Sequence, residues 1–326
     1  MTTNNPVPVS FWGTPEISAT LLQTLLSDSR FSVRFIVTQP DKARSARGRG
    51  VLPSPVKKIA MEAGIPVFEP ETLRLKKRNK EEVAELLRQM KDFHVLFHII
   101  LAYGKIIPRD FFATPELGGV NFHASKLPLL RGAAPIEFAL LHGFSETGWS
   151  LQKITEELDA GDVLASTTVP IEPVDDRSTL YQKLTDNLLE NAPAILLDYS
   201  NGKLTAIPQD FSKATFCSKI STEMGQWNSQ ETGLVQWNKV RALSERPGIY
   251  SSFRGKKIKL FADFNAPLVL ENAAPGSLHI RDSLLYIACR DGLLPFSGIQ
   301  FEGKKRMAIP DFLNGYRPTP ADRLET

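Results

Sequence analysis

The chain opens with apolar and polar stretches in the rhythm strand, helix, strand. Residues 6–11 (PVPVSF) run into an apolar strand, and Gly13-Thr14-Pro15 turns the chain. Ile17, Leu21, Leu22 and Leu25 then recur at helical spacing. Thr14 is placed to N-cap that helix and Pro15 to fill its first turn. Residues 31–38 (FSVRFIVT) form a second strand, and this order predicts a right-handed parallel α/β unit. The rhythm continues with predicted helices over 54–63, 81–90 and 134–141. Predicted strands cover 66–68, 93–103, 118–124, 149–155 and 163–171. His94 and His98 share a face of the 93–103 strand and read as core histidines. Leu180, Leu184, Leu188, Ile195 and Tyr199 mark a long amphipathic helix, kinked or interrupted at Pro193.

After Gly202 the pattern changes. Residues 203–215 (KLTAIPQDFSKAT) read as a linker. Beyond it lie one helix over 231–243 and short strands over 250–253, 257–261, 276–280, 283–289 and 298–301, the spacing of a small β-barrel. The predicted architecture is therefore α/β, with a parallel-sheet domain over 1–205 and a β-barrel domain over 206–326.

Composition narrows the class. A chain of 326 residues, 42% hydrophobic and 23% charged, is long enough to bury two cores. Cys217 and Cys289 are its only cysteines, so no disulfide framework or metal cluster is expected, which suits a reducing cytoplasm. The opening MTTNNPVPVSFWG lacks a basic region followed by an apolar run, so no signal peptide is expected. The most apolar run, near 95–103, is too short for a bilayer, and no membrane partner is expected. Net charge is only +3, but residues 206–326 carry 16 Lys and Arg against 12 Asp and Glu. The basic excess therefore lies in the last third. A second basic run, 40–58, holds Lys42, Arg44, Arg47, Arg49, Lys57 and Lys58 against the single acid Asp41. It reads either as a solvated loop or as a loop that grips phosphates. Its RGRG is no dinucleotide fingerprint: a third glycine is missing, and the run does not join the first strand to its helix. That weighs against a nicotinamide-dependent oxidoreductase.

The densest chemistry lies between Gly119 and Val163. Asn121 and His123 are two apart on a predicted strand and so share a face. Asp159 follows His123 by 36 residues, in the turn LDAGDV with Asp162. An amide can donate to a developing oxyanion, an imidazole can move a proton, and a carboxylate can orient and charge the imidazole. On residue type both acids of the turn, Asp159 and Asp162, are candidates. Between strand and turn, Pro128, Gly132 and Pro135 force an irregular path. Such a path exposes backbone groups of the kind that read a flat heteroaromatic ligand.

NFHASKLP-LLRGAAPIE followed by LDAGDV resembles the signature of the folate-dependent formyltransferase family. FWGTPE, TQPDK, GRG, LPSPVKKIA, GIPVFEPETLR and LAYGKIIP resemble further family segments in the expected order. The RGAAPI and LPSPVK segments are similar to those of members acting on tRNA, or of close sugar-nucleotide relatives. The resemblance implies a Rossmann-like catalytic domain joined to a barrel related to the OB fold. It implies 10-formyltetrahydrofolate as formyl donor and the α-amine of initiator methionyl-tRNA as acceptor. Asn121, His123 and Asp159 fall on the family's catalytic positions. Ser125, Lys126, Leu127 and Pro128 fall on its folate-contacting loop, with the backbone around 101–106 and 155–158 lining the pterin pocket. Arg44, Arg47 and Arg49 lie in the loop that contacts tRNA. No metal is implied, and a monomer is expected. Three departures stand out: Lys126 replaces an apolar residue, Leu129-Leu130 stand where an aromatic is common, and the basic loop lacks a lysine pair after GRG. Rival readings are formylation of an amino-sugar nucleotide or a purine precursor, and a non-catalytic tRNA-binding protein. The last would be supported by His123 lying far from Asn121 and Asp159.

Overall fold

A computed structural model describes residues 5–43, 51–74, 79–266 and 268–325. The chain forms two compact units. The first comprises 1–131, 148–169 and 184–215; the second comprises 132–147, 170–183 and 216–326.

The first unit is built on β1 (Val7–Gly13), β2 (Phe31–Val37), β3 (Val67–Phe68), β4 (Phe97–Leu101), β5 (Gly119–His123), β6 (Ser150–Lys153) and β7 (Val163–Ser166). They make one sheet in the order β7-β6-β5-β4-β1-β2-β3. Strands β1 to β5 pair in parallel, while β6 runs antiparallel to both β5 and β7. The parallel strands step outward from β1 on one side as β2 and β3, and on the other as β4 and β5. The order thus reverses between β1 and β4, and open α/β sheets place ligands beside such a reversal, at the carboxyl ends.

Helix α1 (Glu16–Ser27) buries Ile17, Leu21, Leu22 and Leu25, the stripe read from the sequence. Each buried leucine contributes roughly 1.5–3 kcal/mol through water removed from its surface. Thr14 does not cap it. Its hydroxyl donates to the Tyr103 carbonyl instead, and Pro15 occupies the cap position. Helix α2 (Pro55–Glu62) is capped by Ser54, whose side chain accepts from the Lys57 N–H. Helix α3 (Lys80–Asp92) follows. The expected 93–103 strand is shorter, because His94 adopts a left-handed φ of +48° and stays exposed. His98 is a core histidine, as expected. Its Nε2 donates to the Phe111 carbonyl and its Nδ1 accepts from Ser10, which in turn accepts from the Trp12 indole. Burial of this satisfied neutral ring pushes its pKa down to about 3. Helix Arg177–Ser200, whose residues from 184 on belong to this unit, runs through Pro193 without ending.

In the second unit helix Pro135–Leu141 packs against helix Gly233–Leu243. Arg177 bridges Glu137 and Glu245, each at 3.2 Å. The barrel strands are β8 (Ile249–Phe253), β9 (Lys256–Ala262), β10 (Leu278–Arg281), β11 (Leu284–Ala288), β12 (Leu293–Phe301) and β13 (Leu324–Glu325). They form an antiparallel sheet in the order β10-β11-β12-β9-β8-β13. A Ser277–Arg323 bridge joins its two edges. β12 is longer than its sequence suggested, because Pro295 is accommodated opposite Tyr286. Phe253, Phe296, Phe301 and Phe312 fill the interior. Tyr316, on helix Ile309–Tyr316, stacks on Phe301 at 4.3 Å. Among the described residues no helix is long and apolar enough to cross a membrane.

Candidate active site

Strand β5 delivers Asn121 and His123 at its carboxyl end. Asn121 is half-buried and lies opposite Gln152 of β6; His123 lies opposite Ser150. The chain then leaves the sheet at Ala124. The β6–β7 turn brings Asp159 back over β5, so that its Oδ1 lies 3.6 Å from His123 Nδ1, with both side chains almost fully buried. The other ring nitrogen, Nε2, is 2.8 Å from the Leu130 carbonyl oxygen. A carbonyl only accepts, so Nε2 carries the proton and Nδ1 faces the carboxylate. The two residues that grip the ring both take left-handed backbone, Leu130 at φ +57° and Asp159 at φ +53°. Such conformations cost of order 1–3 kcal/mol and gather where geometry serves function.

The turn that carries Asp159 is tightly specified. A Cβ on Gly161 would stand 1.8 Å from the Lys153 carbonyl oxygen, so only glycine fits. Asp162 closes the turn through its backbone, its carbonyl accepting from Lys153 N–H at 3.0 Å. Gln152 donates from Nε2 to Asp159 Oδ1 at 2.9 Å. Gln209 donates to the carbonyls of Asp159 and Gly161, at 2.9 and 2.6 Å. Gln209 is buried, so the stretch read as a linker over 203–215 packs into the first unit and supplies a residue beside the site. Arg131 is 1% exposed and directs Nε and Nη2 to Gln209 Oε1, at 3.0 and 2.7 Å. Sequence reasoning passed over Gln152 and Gln209. The only trace was the alternation of polar Ser150 and Gln152 with apolar Trp149 and Leu151.

The loop after β5 differs from its expected character. Its backbone is not open. Ser125 O accepts from Ser150 Oγ, and Leu127 N–H donates to the same hydroxyl. Lys126 O accepts from Leu129 N–H, and Pro128 O from Thr215 N–H. An irregular path close to a core must satisfy its own polar groups, and here it does so internally. Ser125 is buried with its hydroxyl on Leu129 O; Lys126, Leu127 and Pro128 are half-buried. Tyr103, in the 101–106 segment, offers its carbonyl to Thr14 and Gln39. Arg44, Arg47 and Arg49 lie outside the described residues. At the base of their segment Lys57 pairs with Asp41 at 2.6 Å and Glu69 at 2.7 Å. Hydrogen bonds to those two carboxylates raise its pKa. Lys57 is thus a structural clamp.

An amide, an imidazole and a carboxylate at the carboxyl edge of an open α/β sheet are groups that acyl transfer uses. The chain belongs to the formyl transferase family: the formyl transferase model matches residues 9–195, and the formyl transferase C-terminal domain model matches residues 219–317. A methionyl-tRNA formyltransferase of Dictyoglomus turgidum is 40% identical over 97% of this chain and 99% of its own. One from Leptospira interrogans is 37% identical over 95% and 97%. Among solved structures, an N-formyltransferase from Helicobacter canadensis in complex with folinic acid and dTDP-3-aminofucose superposes with a TM-score of 0.62. It is 16% identical and covers 92% of this chain and all of its own. HypX from Aquifex aeolicus in complex with tetrahydrofolic acid gives 0.58 at 18% identity; the match covers 96% of this chain but 47% of HypX. At these identities the two structures speak for the fold.

Proposed function

We propose that the protein transfers the formyl group of 10-formyltetrahydrofolate to the α-amine of initiator methionyl-tRNA. The observation that carries this reading is the match to methionyl-tRNA formyltransferases over nearly the whole of both chains, through both family models. The unit that holds Asn121, His123 and Asp159, which runs on to residue 215, carries the chemistry, and the barrel holds tRNA. The protein works as a monomer in a reducing cytoplasm, where Cys217 and Cys289 stay as free thiols.

In the reaction the neutral amine adds to the formyl carbon and the carbonyl oxygen gains charge. Asn121 donates its amide N–H to that oxygen. The attacking nitrogen then sheds a proton, and His123 takes it at Nδ1, because Nε2 is committed to Leu130. Asp159, 3.6 Å from Nδ1, faces the charge that appears on the ring and stabilises it. As the carbon–nitrogen bond to the folate breaks, the imidazolium returns the proton to the leaving N10. Ser125, Lys126, Leu127 and Pro128 line the folate. With their backbone bonded internally, they act as a rigid wall more than as a set of free donors.

The tRNA is held by charge. Lys257 lies over Tyr250 at 4.9 Å, and Arg306 lies over Phe261 at 4.3 Å. Cations interleaved with rings suit a phosphate backbone flanked by bases. Arg44, Arg47 and Arg49 add a second contact. The non-catalytic rival would have been supported by His123 lying far from Asn121 and Asp159, and the 3.6 Å separation from Asp159 counts against it. The deciding assay supplies 10-formyltetrahydrofolate with charged initiator tRNA, charged elongator tRNA or a dTDP-amino sugar. Formylation confined to the initiator is the expected result; preference for the sugar overturns the reading.

A further inference from the structure

We infer that Gln209, oriented by the buried guanidinium of Arg131, is a positioning residue that fixes the Asp159 turn against His123. The inference rests on the reading of His123 and Asp159 as the catalytic pair. It follows from the direction of each hydrogen bond. An arginine only donates, so the Gln209 atom facing Arg131 Nε and Nη2 is its oxygen. Its amide nitrogen then points the other way, to the Asp159 and Gly161 carbonyls, which only accept. Gln152 continues the chain. Its Nε2 is spent on the Asp159 carboxylate, which turns its oxygen towards Gln209 Nε2 at 3.5 Å. Every partner is consistent with one orientation, and flipping either amide would oppose like groups.

The chain of contacts closes on itself. Arg131 follows Leu130, the residue whose carbonyl holds His123 Nε2. One short segment therefore grips the imidazole directly at one nitrogen. Through Gln209 it also steadies the turn bearing the carboxylate that faces the other. Beyond its two bonds to Gln209, Arg131 has Phe211 4.5 Å from its guanidinium carbon and the exposed Glu157 carboxylate 3.8 Å from Nη1, an ion-pair distance and not a hydrogen bond. A buried cation so committed has little freedom to move, which is what a positioning element needs.

The test is a double-mutant cycle in the full-length protein. Gln209→Met keeps the volume and removes both donors and acceptor. It is expected to lower kcat about 10- to 100-fold, the scale of a misplaced catalytic group, with KM for both substrates changed less than about threefold. In an Asp159→Asn background the same substitution is expected to change kcat less than about threefold, because the group it positions is already gone. Losses that multiply, or a rise in KM in place of a fall in kcat, overturn the inference. If Gln209→Met does not fold, Gln209→Glu decides the case. It keeps the acceptor for Arg131 but turns a carboxylate towards two carbonyls, and is expected to fold and to lose kcat. Normal kcat in folded Gln209→Glu overturns the inference. If Asp159→Asn alone keeps near-normal turnover, the catalytic pair falls and the inference falls with it. If Asp159→Asn is inactive while Gln209→Met is unimpaired, only the inference falls.

Discussion

His123 is held at Nε2 by the Leu130 carbonyl and turns Nδ1 to the Asp159 carboxylate 3.6 Å away, and that fixes what its neighbours can do. Asn121→Ala removes the proposed oxyanion donor and is expected to lower kcat about 10²- to 10³-fold with little change in folding, as measured by single-turnover formyl transfer. A second prediction concerns His98, which is buried neutral with its pKa pushed down to about 3. The unfolded chain binds a proton there below about pH 6.5, and the folded chain resists it. Stability from this residue is therefore present above about pH 6.5 and is lost as pH falls towards 3, at up to about 1.4 kcal/mol per pH unit. Urea unfolding at pH 7 and pH 4.5, with the His98 ring followed by NMR, checks the sign. The residue types at Asn121, His123 and Asp159 were legible because each has a distinct chemistry. Gln152 and Gln209 were not, because a glutamine has no signature until its partners are seen.

At the scale of elements, periodicity located the strands and helices well, and their ends less well. Thr14 next to Pro15 reads as a cap, but the hydroxyl found a carbonyl across the sheet in Tyr103. Ser54 does cap its helix, and it also bonds Thr38 at 2.8 Å. Ser54→Ala is therefore expected to cost about 1 kcal/mol, read as a lowered melting temperature, with kcat unchanged. The β6–β7 turn is the element that delivers Asp159. Gly161→Ala drives a methyl into the Lys153 carbonyl and is expected to reduce both stability and turnover, whereas most surface substitutions do neither. The 203–215 stretch failed as a linker for a physical reason. Its polar, proline-containing composition is that of a loop, and nothing local says that Gln209 will be buried.

At the scale of the whole molecule, the proposed function assigns chemistry and grip to different units. Lys257, Lys304, Lys305 and Arg306 are exposed around the aromatic faces of the barrel, while the Asn121–His123–Asp159 group belongs to the sheet unit. Affinity for tRNA is accordingly expected to fall steeply with salt. Arg49→Ala should weaken binding and reduce the slope of log K against log salt by about one, with turnover on a minimal amine acceptor unchanged. Filter binding across a salt series measures this.

The sequence by itself determined the α/β class, the change to a β-rich region after Gly202, and the shared face of Asn121 and His123. All three follow from local periodicity, which needs no knowledge of distant partners. The approach of Asp159 to His123 across 36 residues was decided only by the tertiary structure, as were the closure of Leu130 on the imidazole and the insertion of Gln209 behind the turn. Those contacts depend on antiparallel β6 returning beside β5 and on buried polar groups finding the acceptors that remain, and neither condition exists until the sheet is assembled.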